Sequence, residues 1–484
     1  MVFVSLHFLL LFFPLCMILY LSVKTIEKKN IVLLIFSLLF YAWGEPKYIL
    51  LLLFMSFADW LLAILIHKSE RKNIKKLLLI TSCIVNLSLI GIFKYGNFVV
   101  FNLTNLFNSE PTILNITLPI GISFYTFQLL SYVIDVYRGD VKAQPKFHIV
   151  LLYASLFHQC IAGPIVRYRD VEEQLLSRRI NIIDVNKGIN RFCIGLAKKA
   201  VIANTCGKLF ESFIVSDDLV NTIDSVTIIS SKSVTSLWIG MLLFSLQIYF
   251  DFSAYSDMAI GMGKMIGIDY KENFDYPYTS SSVSEFWRRW HISLGSFFRD
   301  YVYIPLGGNR KGNSRTYFNL LITWFLTGLW HGASWNYILW GLYFFVFIAL
   351  EKAFLGKHLQ KNKILSKIYS LFIVFFGWVL FKFENTEVMF TVLKGMFGLN
   401  GNKFTDFETN TMFTSNVLFI IFCCIICVPV FKNLFAKVES LSNSNMVIAK
   451  IWSALNVVCP VILVFLSLIN IVGNSYNPFL YFQF

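Results

Sequence analysis

Charged residues are scarce in this chain: they make up 14% of its 484 residues, against about a quarter in a typical soluble domain. Acidic residues are the scarcer sign, with 28 Asp and Glu against 42 Lys and Arg. Hydrophobic residues reach 56% of the chain. This balance excludes an ordinary soluble domain. It indicates an all-α polytopic membrane protein, because the apolar runs are long enough for spanning helices and too long for barrel strands.

Other features are missing as well. No tandem repeat, coiled coil, linker or low-complexity tract divides the sequence, which predicts one membrane domain over 1–484. The cysteine cluster Cys423-Cys424-Ile-Ile-Cys427 has no His or second Cys pair beside it, so apolar packing is favoured over a metal site. No resident metal, cofactor or disulfide framework is expected. The chain begins without a basic start or a small-residue cleavage site, so 4–23 is predicted to be a first span and not a signal peptide.

Apolar runs predict about 11 transmembrane helices, with re-entrant or interfacial helices between them. Two runs, 200–213 and 317–330, are too short to cross alone and are expected to be tilted, re-entrant or joined to their neighbours. The candidate runs are 4–23, 31–43, 48–66, 77–94, 117–137, 200–213, 237–260, 317–330, 334–350, 366–383, 415–431 and 449–472.

Basic residues fall in alternate connections between these runs, which predicts the topology. The positive-inside rule puts the basic connections in the cytoplasm and the N-terminus outside. This rule accounts for the net charge of +14, and no groove-reading motif suggests a nucleic-acid partner. The connections alternate between the two sides of the membrane without conflict if 317–350 forms a hairpin with His331 near its turn, deep in the bilayer. The predicted cytoplasmic connections are 24–30, 67–76, 138–199, 263–315 and 351–367; the predicted outer ones are 97–116, 216–235 and 384–414.

Two histidines lie beside apolar runs, where an uncharged residue would cost less. His331 stands between the runs 317–330 and 336–350, and an ionisable side chain at membrane depth is a candidate functional residue. His291 lies 40 residues upstream, in a segment rich in Trp and Arg. Trp330 and Asn336 flank His331 and are candidates for contact with the substrate. A zinc site would need further ligands at suitable spacing, and no such spacing is present.

Polar residues interrupt three other segments. Gln128 lies in 118–139, where interhelical hydrogen bonding and the lining of a polar cavity both remain open. His158 precedes the helix-breaking pair Gly163-Pro164 and is expected to be a hydrogen-bonded structural residue. Asp251 and Asp257 are six residues apart and would form a proton relay or ion site, or pair with the arginines of the next segment. The pairing is the favoured interpretation.

The segment 273–310 alternates Trp, Arg and Tyr, which suits an amphipathic helix at the membrane interface. Arg288 and Arg289 are candidates to bind phosphates, since guanidinium groups bind phosphate oxygens bidentately. Trp290 is a candidate to stack on a base. The ligand this combination suits is a phosphorylated carrier such as coenzyme A.

Together these segments resemble the membrane-bound O-acyltransferase family, and within it the bacterial alginate and peptidoglycan O-acetyltransferase-like branch. The resemblance spans about 210 residues, and Ala162-Gly163 with Ile165-Val166-Arg167 favours this branch over its sister, which transfers D-alanine from a carrier protein to teichoic acid. The matching segments are Ser123 to Gly139, Ala162-Gly-Pro-Ile-Val-Arg167, Tyr249-Phe-Asp-Phe-Ser-Ala-Tyr-Ser-Asp257, Phe286-Trp-Arg-Arg-Trp-His-Ile-Ser-Leu294, Tyr303-Ile-Pro-Leu-Gly-Gly308 and Gly328-Leu-Trp-His-Gly-Ala-Ser-Trp335.

The resemblance implies a ring of helices around a central funnel, with a catalytic core at 117–345 and flanking helices at 1–116 and 351–484. It makes His331 the catalytic histidine and His291 the second functional one. It implies transfer of an acetyl group from acetyl-CoA or an acyl carrier to an extracytoplasmic polysaccharide or peptidoglycan. The implied setting is a bacterial inner membrane, with membrane lipid around the chain and an extracytoplasmic esterase-like (SGNH-type) partner.

Two other functions compete with acyl transfer. A transporter of polymer, lipid or acetyl groups would line its path with the same polar residues, and inverted repeats would favour it; none is found. A scaffold for a polysaccharide-export complex would tolerate the loss of both histidines. Acyl transfer with His331 as general base is favoured mainly by the resemblance, and imidazole suits that role because it exchanges protons near working pH.

Overall fold

A computed structural model describes residues 2–107, 114, 116–161, 163–220, 222 and 224–473. All the regular structure in these ranges is helical, as the apolar runs predict, and they contain no strand. Ala162, which belongs to the Gly-Pro element, lies outside the described residues.

The α-helices are, in chain order, α1 (Phe13–Ser22), α2 (Ile26–Gly44), α3 (Ile49–Lys68), α4 (Lys72–Ile90), α5 (Gly96–Leu106), α6 (Ile122–Arg138), α7 (Phe147–Ser155), α8 (Phe157–Cys160), α9 (Tyr168–Leu176), α10 (Ile182–Ala197), α11 (Asn204–Phe213), α12 (Asp224–Ser231), α13 (Val234–Met265), α14 (Val283–Arg289), α15 (Ile292–Phe298), α16 (Asn313–His331), α17 (Trp335–Leu350), α18 (Gly356–Leu359), α19 (Lys363–Lys382), α20 (Thr386–Met396), α21 (Phe407–Ile426), α22 (Val430–Ser442) and α23 (Met446–Gly473). Short π-helical turns cover Phe8–Phe12, Gly91–Tyr95, Lys198–Ala203, Arg299–Tyr303 and Glu351–Leu355, and a 3₁₀ turn covers Pro277–Thr279.

Within the described ranges, seven helical stretches are long and apolar enough to cross a membrane. The predicted number, about 11, and the central funnel stay predictions. The run 200–213 is joined to its neighbour, one of the three arrangements predicted for it, because α10 continues through the turn Lys198–Ala203 into α11. The seven stretches are Ile49–Lys68, Lys72–Leu106, Val234–Met265, Trp335–Leu359, Lys363–Lys382, Phe407–Ile426 and Met446–Gly473.

Two predicted boundaries are wrong. The outer loop predicted from residue 97 is helical as far as Leu106, because α4 continues through a π turn into α5, whose apolar side chains Val99, Phe101 and Leu103 are exposed. The helix predicted from residue 117 begins at Ile122. Gly121 before it has φ of 77°, a left-handed conformation that suits glycine, and a Cβ there would collide with the carbonyl oxygen of Cys160.

The described residues form two compact units. The first comprises the residues up to 192 together with 255–272. Its interior holds polar groups that pair across helices. The Asp59 carboxylate of α3 accepts hydrogen bonds from Ser82 (2.5 Å) and Asn86 (2.8 Å) of α4. His158 is buried and lies 3.1 Å from the Tyr270 hydroxyl, which confirms its expected hydrogen-bonded role.

The second unit comprises residues 193–254 and the residues from 273 onward. Its core packs α13 against α19 and α20, with large aromatic side chains such as Trp340 and Trp378 fully buried. The predicted hairpin at 317–350 is present as the helix pair α16 and α17, which pack closely. A Cβ on Gly328 would collide with the carbonyl oxygen of Tyr337, and one on Gly341 with that of Trp324. Small residues at such positions let two helices approach each other in a membrane protein.

Candidate active site

His331 is the last residue of α16, next to the turn of the hairpin. The chain turns through Gly332, where a Cβ would collide with the Tyr337 ring. Tyr337 is itself held in place, since its hydroxyl lies 3.1 Å from the Glu384 carboxylate. The close packing of this turn therefore fixes the position of the His331 backbone at the end of α16.

Aromatic rings surround the His331 imidazole, which is only 8% exposed. The rings of Trp330, Trp340 and Phe381 lie 5.0, 4.8 and 5.2 Å from it between centroids, all in edge-to-face geometry. Such packing restricts the rotation of the imidazole and shields it from bulk water. A general base needs this fixed orientation.

His291 lies at a break between two short helices, α14 and α15. The segment predicted to suit an interfacial helix thus contains two short helices, and its place at the membrane interface stays a prediction. The break is sharp, because His291 has φ of 46°, one of two non-glycine residues with positive φ in the described ranges. A histidine in this conformation is strained, and such strain concentrates at functional sites. The imidazole is 1% exposed and packs edge-on against Phe252, at 4.6 Å between centroids.

Asn273 connects to His291 and to the residues after it. Its side-chain oxygen accepts hydrogen bonds from the backbone N–H (3.0 Å) and hydroxyl (2.8 Å) of Ser293. The same oxygen lies 3.3 Å from Nδ1 of His291. Its backbone oxygen accepts a further bond from Ile292 (3.0 Å). Asn273 thus holds the chain on the C-terminal side of His291.

Trp330 brings the two histidines into one site. Its ring lies 5.9 Å from the His291 ring and 5.0 Å from the His331 ring, between centroids. Trp330 is 5% exposed. Of the predicted site residues, these three form the clearest cluster.

One cavity adjoins His291, and a second cavity adjoins the first. The first, of about 310 Å³, is lined by His291, Trp287 and Trp290 among others. The second, of about 610 Å³, carries three basic side chains, Arg288, Lys352 and Lys363. Both cavities share the lining residues Ser284, Arg288, Tyr303, Leu320 and Ile348. The shared lining places the cavity with the three basic side chains next to the cavity at His291.

Arg288 and Arg289 differ in surroundings although they are adjacent. Arg288 lines both cavities and has no ion-pair partner among the residues the structure covers. Arg289 pairs with Glu285 at 2.8 Å and lies 3.8 Å from Asp275. Trp290 lines the first cavity, but its ring packs on Trp378 (4.8 Å) and Phe286 (5.5 Å).

The favoured pairing of Asp251 and Asp257 with arginines of the following segment needs correction. Asp251 pairs with Lys199 at 2.5 Å, in the second unit, and both side chains are 3% exposed. Asp257 pairs with Arg191 at 2.6 Å, in the first unit, where Arg191 also binds Glu272. These cations precede the carboxylates in sequence. Sequence proximity misled the prediction, because the partners come from α10 and the turn that follows it.

Two further candidates, Asn336 and Gln128, are both buried but differ in their hydrogen bonds. Asn336 is buried and donates to the carbonyl oxygens of Leu380 and Phe381, both at 3.3 Å, which ties α17 to the end of α19. Gln128 is buried within the first unit, and its side-chain amide has no hydrogen-bond partner among the described residues.

Sequence reasoning missed several residues that build the site. Asn273, Trp340 and Phe381 carry no recognisable signal, because their importance depends on contacts that folding creates. Glu351 had one signal, as a carboxylate at the end of an apolar run. It is 8% exposed and accepts bonds from the backbone N–H groups of Val283 (2.6 Å) and Ser284 (2.9 Å), so it fixes the start of α14. In the described ranges, no three His, Cys, Asp or Glu side chains come together as metal ligands.

Comparison with known proteins places this chain in a family. The model of the membrane-bound O-acyltransferase (MBOAT) family matches residues 141–391, which include both histidines. The chain is 35% identical over its whole length to the "Probable alginate O-acetylase AlgI" of Pseudomonas putida, and covers all of that protein. This chain belongs to the membrane-bound O-acyltransferase family. It is therefore an O-acyltransferase and a multi-pass membrane protein, as the resemblance predicted.

Other relatives in the family carry different names. A "Peptidoglycan O-acetyltransferase" of Helicobacter pylori is 36% identical over 76% of this chain and 74% of its own length. A "Teichoic acid D-alanyltransferase" of Bacillus subtilis is 29% identical over 54% of this chain and 68% of its own. The relatives thus agree on acyl transfer and differ in acyl group and acceptor.

Proposed function

We propose that this chain transfers an acetyl group from acetyl-CoA in the cytoplasm to hydroxyl groups of an extracytoplasmic polysaccharide or peptidoglycan, with His331 as the general base. The observation that carries the proposal is the pair of buried imidazoles, His291 and His331, that contact the same Trp330 ring. An imidazole is the side chain best suited to accept and return a proton near neutral pH. Family membership supplies the reaction class.

The chemistry follows from one base and one thioester. His331 accepts the proton of the acceptor hydroxyl while the hydroxyl oxygen bonds to the thioester carbonyl carbon. The tetrahedral intermediate then collapses, and the carbon–sulfur bond breaks. The thiolate takes the proton back from the His331 imidazolium. The products are an acetyl ester and free coenzyme A, and the imidazole ends in its starting form.

The two adjoining cavities suit the donor. A thioester end would occupy the smaller cavity at His291, and phosphates would meet Arg288, Lys352 and Lys363 in the larger one. Of the two carboxylates that line the larger cavity, Glu285 pairs with Arg289 and Glu351 accepts backbone hydrogen bonds. The three basic side chains therefore give the larger cavity an excess of positive charge, which favours a phosphorylated donor.

The acceptor side of the proposal rests on the names of the relatives. Alginate and peptidoglycan lie outside the cytoplasmic membrane, so we place the chain in a bacterial inner membrane with its N-terminus outside. Basic loops 24–30 and 67–76 support this orientation. An extracytoplasmic SGNH-type partner would receive the acetyl group and pass it to the polymer.

A second donor deserves a direct test, because one relative is named a teichoic acid D-alanyltransferase. Purified protein in nanodiscs would be given labelled acetyl-CoA, or D-alanine bound to a carrier protein, with a soluble hydroxyl acceptor. The proposal predicts transfer from acetyl-CoA and none from the carrier protein. Transfer from the carrier alone would replace the proposed donor, and transfer from neither would contradict the proposed reaction with these donors.

The neighbouring arginines give a matched pair of variants. Arg288→Ala is expected to raise the KM for acetyl-CoA roughly ten-fold with little change in kcat, because a charge-assisted contact to phosphate is lost. Arg289→Ala is the control and is expected to change KM less than about two-fold, since Arg289 is occupied by Glu285. Steady-state kinetics at two ionic strengths would measure both. Equal effects of the two variants would contradict a specific role of Arg288.

A further inference from the structure

The proton position on His291 follows from the hydrogen bonds of Asn273. The backbone N–H of Ser293 can only donate, so the Asn273 side-chain atom 3.0 Å from it is the amide oxygen. An amide oxygen can only accept. The His291 Nδ1 that lies 3.3 Å from the same oxygen must therefore carry the hydrogen.

The other ring nitrogen of His291 is then an acceptor. Burial lowers the pKa of His291 to about 3, so the ring is neutral at pH 7 and carries a single proton. With that proton on Nδ1, Nε2 presents a lone pair. Nε2 is buried, has no hydrogen-bond partner among the described residues, and belongs to a side chain that lines the 310 Å³ cavity.

The backbone geometry reinforces this arrangement. The left-handed conformation of His291 costs free energy, because its Cβ lies too close to the carbonyl oxygen that follows. Asn273 offsets this cost by accepting bonds from both Ile292 and Ser293, the two residues that follow His291. One residue therefore holds the backbone of His291 and the tautomer of its ring.

We infer that Asn273 is a positioning residue that keeps the His291 proton on Nδ1, so that Nε2 meets the bound donor as a hydrogen-bond acceptor. The complementary group on the donor is an amide N–H of its pantetheine arm. In this tautomer Nε2 has no hydrogen to donate to the oxyanion of the tetrahedral intermediate, so the role that remains for His291 is to orient the donor. This assignment of the pantetheine contact rests on the proposed function, whereas the tautomer itself does not.

The tautomer can be measured without any substrate. The protein would be prepared in nanodiscs with ¹⁵N-imidazole histidine, and the His291 signals identified by their loss in His291→Asn. Wild type is expected to show a protonated Nδ1 and an unprotonated Nε2. A protonated Nε2 in wild type would overturn the inference, whatever the variants do.

Variants at the same contact add a functional readout. Asn273→Ala is expected to shift the proton toward Nε2 and to lower kcat/KM for acetyl-CoA at least roughly ten-fold, since the wrong tautomer of a site histidine is strongly inactivating. Asn273→Asp keeps an oxygen acceptor and replaces an NH₂ group that has no partner among the described residues. It should keep the proton on Nδ1 and most of the activity.

Ser293→Ala is the matched control. It removes a hydroxyl that lies 3.4 Å from His291 Nδ1 but retains the Asn273 oxygen. The variant should keep the proton on Nδ1, and its kcat/KM should stay within about two-fold of wild type, because the hydrogen bond that it loses is not the one that fixes the tautomer. A full effect of Ser293→Ala, or an Asn273→Asp protein that behaves like Asn273→Ala, would overturn the inference. If wild type shows the expected tautomer but transfers no acetyl group, the proposed function fails and the tautomer assignment stands.

Discussion

Replacement of His331 by alanine is expected to lower the rate of acetyl transfer by roughly 10²- to 10⁴-fold, the usual contribution of a general base. The loss should fall on kcat, because His331 lines neither of the two cavities assigned to the donor, so KM for acetyl-CoA should change little. Transfer of labelled acetyl to a soluble hydroxyl acceptor would measure both parameters.

Two variants control for loss of packing around His331. His331→Gln keeps more of the side-chain volume against Trp340 and Phe381 and should be as inactive as the alanine variant. His358→Ala removes an exposed histidine of α18 and should remain fully active. Transfer close to the wild-type rate in both His331 variants, at equal expression, would show that His331 is not the base.

The second large effect is expected on stability. Lys199→Ala should lower the free energy of unfolding by about 3–5 kcal/mol, because it leaves the Asp251 carboxylate buried without the cation 2.5 Å away. Replacing both partners, as in Lys199→Met with Asp251→Leu, should recover most of that loss, since no unpaired charge remains. Unfolding in mixed micelles of increasing denaturing detergent would measure the differences.

The same variants separate a structural role of Asp251 from a role in substrate binding. If Asp251 is structural, the double replacement should regain activity along with stability. Lys271→Ala, which breaks the exposed pair with Asp170, is the control and should change stability little. A stable but inactive double variant would contradict the structural interpretation and return Asp251 to the binding site.

The sequence predicted the local features well and the long-range ones poorly. The hairpin around His331 was predictable, because two apolar runs flank a short polar turn and basic segments lie on both sides of the pair. The helical nature of the chain followed from the lengths of its runs. The end of the α4–α5 stretch at Leu106 was missed, since the polar residues of 97–106 obscured its apolar face.

The candidate site shows the same difference between local features, which could be predicted, and long-range contacts, which could not. His291 and His331 stood out, because ionisable side chains beside apolar runs are costly. Their neighbours did not, since Asn273 reaches His291 and Phe381 reaches His331 only through the folded chain. The ion pair of Lys199 with Asp251 joins residues from different helical segments, and neither residue identifies the other in the sequence.

In the reaction that we propose, an acetyl group passes from a cytoplasmic thioester to a hydroxyl on the other side of the membrane, with His331 as the base. The most direct test uses proteoliposomes of uniform orientation, with labelled acetyl-CoA outside at the cytoplasmic face and a membrane-impermeant hydroxyl acceptor trapped inside. We expect labelled ester inside the vesicles with wild type and almost none with His331→Gln. Ester that forms only on the donor side, or equally with both proteins, would contradict it.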